Sequence, residues 1–113
     1  MEFSNKSQDG ILLIELKGDL IGENSGIEMM DIVNDKINSG LRLCTIDLSQ
    51  VRYMNSSGIG VLITMLTKFR NKGGEVVLIN PSEQIRKLLL ITKLNSIFTI
   101  VETEEQAKEH LKK

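Results

Sequence analysis

The chain has no tryptophan, one tyrosine, one proline, one cysteine and one histidine among its 113 residues. A single cysteine, Cys44, can form no internal disulfide and suits a reducing compartment. It lies inside the apolar run from Leu41 to Leu48 and reads as a buried small hydrophobe, because that run offers neither the positive charge nor the helix N-terminus that would activate a thiol. One Cys, one His and scattered carboxylates supply no metal-ligand cluster, so neither a metal nor a cofactor is expected. Net charge is only −1, from 14 basic and 15 acidic residues, which leaves no global field to draw in nucleic acid or an anionic membrane. The small basic groups, Lys68, Arg70 and Lys72 and then Lys108, Lys112 and Lys113, read as a solvated helix face and a tail. No run approaches the ~20 apolar residues of a membrane span. The start, Met1 to Lys6, lacks a basic segment followed by an apolar one, so a cytoplasmic protein is expected, with no nucleic-acid partner and no membrane insertion.

What is present is the composition of an ordinary globular protein, 41% apolar and 26% charged. This length supports one core, so residues 1–113 are expected to form a single domain. Phe3 to Ser7 and Ile11 to Leu16 flank the turn signal Gln8-Asp9-Gly10 and predict a hairpin. Asn24 or Ser25 is a candidate cap for a helix carrying Ile27, Met30, Val33 and Ile37, stopped by Gly40. Leu41 to Leu48 reads as a strand. A broad stripe then follows, Ile59, Leu62, Ile63, Leu66 and Phe69 widened by Val61 and Met65, which predicts a well-buried helix ending at Gly73-Gly74. Glu75 to Asn80 is a β-branched strand meeting Pro81, and Ser82 caps a helix with Ile85, Leu88 and Leu89. Ile97 to Val101 forms a last strand, and Thr103-Glu104-Glu105-Gln106 is a capping box opening a polar terminal helix through Leu111. Strands separated by crossover-length helices imply parallel neighbours. The expected fold class is α/β: a small mixed β-sheet, an N-terminal antiparallel hairpin followed by parallel strands, covered by about four helices.

Catalysis finds poor material here, and no catalytic residue is assigned. His110 falls in the last turn of the polar terminal helix, a surface position favourable to a cation. No Gly-x-Ser-x-Gly elbow surrounds Ser56 or Ser57, and Gly58-Ile59-Gly60 lacks both the third glycine of a dinucleotide fingerprint and the lysine of a P-loop. Asp47 reads as a turn or cap former at a strand end. Met29, Met30 and Met65 sit on or beside apolar stripes and read as core. Attention therefore settles on Asn55-Ser56-Ser57-Gly58, where a strand-like run meets a helix. The first backbone N–H groups of a helix lack intrahelical partners, so a hydroxyl there can cap the helix and a phosphate can be received by it.

The run from Ile46 to Leu62, Ile46-Asp47-Leu48-Ser49-Gln50-Val51-Arg52-Tyr53-Met54-Asn55-Ser56-Ser57-Gly58-Ile59-Gly60-Val61-Leu62, resembles the signature of STAS domains, the anti-sigma-factor antagonists. Gly18-Asp19-Leu20, Gly73-Gly74-Glu75-Val76-Val77-Leu78, and Ile85-Arg86-Lys87-Leu88-Leu89 followed by Leu94 extend the similarity over nearly the whole chain. The resemblance implies an adaptor, not an enzyme, that binds an anti-sigma factor which is also a serine kinase. Phosphorylation of the serine before Gly58 releases that partner, and a serine phosphatase resets the adaptor. By position the acceptor is Ser57, with Ser56 the second candidate; the implied interface comprises Asn55, Ser56, Ser57, Gly58 and Ile59 together with Ile21 and Gly22. Two positions depart from the family's pattern. Asn55 stands where Asp is common, and Ile21 where the loop before the first helix often carries an acid, so both remove negative charge near the acceptor. Asn55 can still hold the turn through its own side chain. The alternative is a STAS-like interaction subunit of a lipid-transport or signalling assembly that is never phosphorylated.

Overall fold

The computed structural model describes residues 2–21 and 24–112, with the side chains of Asn24 and Ser25 outside that description; the expected helix cap at one of those two, and the interface position Gly22, therefore lie outside the described residues. The chain opens with β1 (Glu2–Gln8) and β2 (Ile11–Leu20), paired antiparallel from Glu2 with Lys17 to Gln8 with Ile11. Asp9 and Gly10 both take positive φ, 55° and 79°, which gives a two-residue turn the twist that suits a hairpin. β2 runs four residues past the expected end at Leu16, because its far half pairs with the next strand, up to Leu20 beside Met54.

Helix α1 (Asn24–Asn38) buries Met29, Val33 and Ile37, spaced four apart, with Met30 half-buried beside them. Its phase corrects the sequence expectation at one position: Ile27 is 64% exposed, and Gly26 takes the inward place. Gly26 faces Val61 of the following helix, where an added Cβ would make an ordinary 3.5 Å contact with a methyl, and Ile27 is turned outward. β3 (Leu43–Met54) follows, then α2 (Ser56–Arg70), β4 (Glu75–Ile79), α3 (Glu83–Ile91), a 3-10 turn over Leu94–Ser96, β5 (Thr99–Val101) and α4 (Glu104–Leu111). β5 is shorter than expected. The amides of Ile97 and Phe98 both donate to the Leu94 carbonyl, which keeps those two residues in the turn.

The sheet order is β1-β2-β3-β4-β5, with every pair after the hairpin parallel, as expected of a mixed sheet covered by four helices. One face carries Leu12, Ile14, Leu16, Cys44, Ile46, Leu48, Val76 and Leu78 against α1, α2 and α3. The other presents Ile11, Leu13, Val77 and Ile79 to Ala107 and Leu111 of α4. Each fully buried Leu or Ile contributes about 1.5–3 kcal/mol by leaving water. Cys44 is inside the first of these layers, a small hydrophobe as expected, and burial pushes its thiol pKa far up. Ser82 and Thr103 cap α3 and α4 through the amides of Ile85 and Gln106. The expected capping box is offset by one residue: the Gln106 side chain accepts from the Glu102 amide.

Candidate functional site

β3 outruns the expected end at Leu48 by six residues, and the reason is a pair of irregularities against β2. Between the pairs Glu15 with Asp47 and Lys17 with Gln50, β3 spends three residues against two; between Gly18 with Val51 and Asp19 with Tyr53 it spends two against one. These are β-bulges, which bend a strand and re-aim its side chains. Buried positions accordingly run Cys44, Ile46, Leu48 and then Val51 and Met54, a spacing of two that becomes three. Asp47 is thus mid-strand, not at a strand end. Its carboxylate accepts from the Ser49 amide at 2.8 Å, giving a partner to a donor at the first bulge. Near the second bulge, Arg52 grips Asp19 with two hydrogen bonds of 3.2 and 3.1 Å. That hydrogen bonding, with the attraction of the opposite charge, raises the pKa of an already permanent guanidinium cation.

The bent strand delivers Asn55 to the end of the sheet where β2 also stops. The Asn55 amide donates to the Leu20 carbonyl at 3.3 Å, so Ile21 emerges beside the start of α2. Asn55 is extended (φ −102°, ψ −176°), and its Oδ1 accepts from the Gly58 amide at 2.8 Å. It is therefore the helix N-cap. Of the four amides that a helix start leaves without intrahelical partners, Asn55 spends its own on Leu20 and holds that of Gly58. Those of Ser56 and Ser57 have no protein partner among the described residues. Both serines are exposed, and neither hydroxyl has a hydrogen-bond partner among the described residues.

Gly58 is buried, because α2 begins almost in contact with the end of β2. A Cβ there would be driven into the Leu20 carbonyl oxygen. Gly58 therefore shapes the surface from beneath, while Ser56 and Ser57 occupy it. Ile59 is half-buried and packs on the core, and Ile21 is 37% exposed. The structure thus gathers Ile21, Asn55, Ser56, Ser57, Gly58 and Ile59 at one end of the sheet, the end where parallel α/β sheets bind ligands. His110 is exposed in the last turn of α4, remote in the chain from these groups. Among the described residues no three His, Cys, Asp or Glu side chains gather to hold a metal. No helix there is long and apolar enough to cross a membrane.

Sequence reasoning missed an adjoining feature. A groove of about 480 Å³ runs between α1 and α2, with Ser57 on its wall opposite Ile27 and Asp31. The signal was present in the pair Gly26 and Gly60, two residues without side chains on facing helices, but their adjacency depends on the fold.

Residues 2–107 match the STAS domain family. An anti-sigma F factor antagonist of Paenibacillus polymyxa is 26% identical over 102 residues, 90% of this chain and 87% of that protein. The crystal structure of tm1081 of Thermotoga maritima superposes with a TM-score of 0.88 at 27% identity, covering 98% of this chain and 95% of the other. The anti-sigma factor antagonist SpoIIAA, a Bacillus protein solved in unphosphorylated and phosphorylated forms, superposes with a TM-score of 0.77 in each at 20% and 22% identity; the two cover 98% and 96% of this chain and 98% of SpoIIAA, a likeness of fold. With the sheet order, the capped turn and the match over residues 2–107 agreeing, the chain belongs to the STAS domain family.

Proposed function

We propose that this protein is an anti-sigma factor antagonist that works as a phosphorylation-controlled adaptor: it binds an anti-sigma factor with serine-kinase activity when Ser57 is unmodified and releases it when Ser57 is phosphorylated, and a serine phosphatase restores the binding form. The observation that carries this reading is the division of labour in the turn. Asn55 performs the capping, so the Ser57 hydroxyl is left exposed and without a structural task, next to two amides that lack protein partners among the described residues. A phosphate there adds roughly −1.5 to −2 charges at the positive end of the α2 dipole, where the fold tolerates them. The naming of relatives as anti-sigma factor antagonists, and the existence of a phosphorylated form of SpoIIAA, support the same reading.

Release then comes from the interface. A dianion carries its own hydration into a contact that must be dry, and a loss of ~3 kcal/mol weakens binding more than a hundredfold. The test is to incubate the protein with candidate anti-sigma kinases of the same genome and ATP, and to locate added phosphate by mass spectrometry. Phosphate on Ser57 is expected, with Ser57→Ala locking binding on and Ser57→Asp weakening it. Phosphate on neither serine, from kinases active on their own antagonists, refutes the proposal. The phosphorylated protein keeps a cooperative melting transition; its loss would show that release works by unfolding.

A further inference from the structure

We infer that the groove between α1 and α2 is a specificity pocket of the partner interface, taking an aliphatic side chain with a lysine or arginine beside it. This rests on the adaptor reading of Ser57 and adds to it the chemistry of the segment that docks. The floor is apolar: Ile27, Met30 and Val61 line it, and Gly26 and Gly60 leave room between them. Ile27 is 64% exposed, so its apolar surface in the groove is open to a partner. The only charged side chain in the lining, among the described residues, is Asp31. Glu28 and Asp35, also exposed, lie three residues before it and four after, so Asp31 is the groove-side edge of an acidic stripe on the outer side of α1. Along α2 the groove wall is Ser57, Gly60 and Thr64, with no cation until Lys68, a further turn on. An apolar floor beside an acidic rim is complementary to an aliphatic side chain flanked by a cation.

The same arrangement explains how one phosphate can evict the partner. Ser57 is on the groove wall, so its phosphate brings water over the floor that the aliphatic side chain must cover.

The experiment measures binding of the anti-sigma factor to the unphosphorylated full chain by titration calorimetry, with Ile27→Ser and Asp31→Arg as variants and Ser57→Asp as the reference for the adaptor reading. Both changed side chains are exposed, so melting curves are expected to stay within about one or two degrees of the parent. The expected result is a loss of at least about tenfold in affinity for each groove variant, and weaker binding of the parent at higher salt. If Ser57→Asp weakens binding while both groove variants bind like the parent, the pocket is refuted and the adaptor reading stands. Tighter binding by Asp31→Arg refutes the cationic partner. A dimer of this chain that Ile27→Ser dissociates, with anti-sigma binding intact, assigns the groove to a second copy and refutes the inference. No binding by the unphosphorylated parent to any candidate overturns both readings.

Discussion

Replacing Asn55 by alanine separates capping from the proposed signalling, because Asn55 holds the capping bond while the Ser57 hydroxyl has no partner among the described residues. The substitution removes the 2.8 Å bond from the Gly58 amide and leaves that donor unpaired at a buried residue. Loss of an N-cap costs roughly 0.5–2 kcal/mol, and burial of Gly58 places this case in the upper half, about 1.5 kcal/mol. For a chain of this length 1 kcal/mol corresponds to about 4 °C, so the melting temperature should fall by about 6 °C. Urea denaturation followed by circular dichroism should show a lower midpoint with an unchanged slope. Asn55→Asp keeps an acceptor and adds a charge that the α2 dipole favours by about 0.3–1 kcal/mol, so it should match or exceed the parent. Ser57→Ala should stay within about 0.5 kcal/mol, since its hydroxyl has no partner among the described residues. If Ser57→Ala destabilised and Asn55→Ala did not, the serine would be the cap, and the argument that it is free for modification would fail. After phosphorylation the order of the parent and the Asn55→Asp variant should reverse, because the carboxylate introduced at the cap would repel the phosphate next to it.

Gly58→Ala should destabilise by about 3 kcal/mol in urea melts, the upper range for overpacking, because its Cβ meets the Leu20 backbone and not a flexible side chain; a neutral result would refute the close approach of α2 to β2. Cys44 should resist a thiol reagent at about pH 8 in the folded protein and react at the rate of global opening. Burial raises its folded pKa above that of the unfolded thiol, so the folded state is favoured fully below about pH 8.5 and loses up to about 1.4 kcal/mol per pH unit above it. Cys44→Ala should flatten that alkaline decline, and an unchanged decline would assign it to other groups. Val51→Asp should unfold the protein at room temperature or cost at least about 3 kcal/mol, whereas Gln50→Asp should cost less than about 0.5 kcal/mol; the reverse order would refute the bulged register of β3.

Much of the fold can be read from local chemistry. Asp9-Gly10 marks the hairpin, Ser82 and Thr103 mark helix starts, and the glycines at 40 and 73, with φ of 109° and 80°, mark helix ends, because each of these signals depends on its own few residues. The helix start at Ser56 and Ser57 is legible for the same reason. What escapes is whatever two distant segments decide together. The phase of α1 is the one that buries Met29, Val33 and Ile37 against the sheet and α2, so the apolar character of Ile27 points the wrong way when the helix is read alone. The identity of the cap is open among Asn55 and two serines in the sequence, and the bond from Gly58 selects Asn55.

The second half of β3 is the clearest such case, and it is also what places the site. Strict alternation from Cys44, Ile46 and Leu48 would turn Gln50 and Arg52 into the core and Val51 out to solvent, a pattern that argues against a strand from sequence alone. The first bulge shifts the phase by one residue, so Val51 points inward and Gln50 outward. The second shifts it again, leaving Arg52 outside to hold Asp19 and returning Met54 to the core. Two shifts of one residue restore the original parity, so the strand ends with its last apolar side chain facing the helices and Asn55 level with the end of β2. A single bulge would bring Met54 to the wrong face and aim the turn away from α1. The polar residues that make this stretch unreadable as a strand are thus the ones that let it bend, and the bend is what sets Ser57 on the wall of the α1–α2 groove.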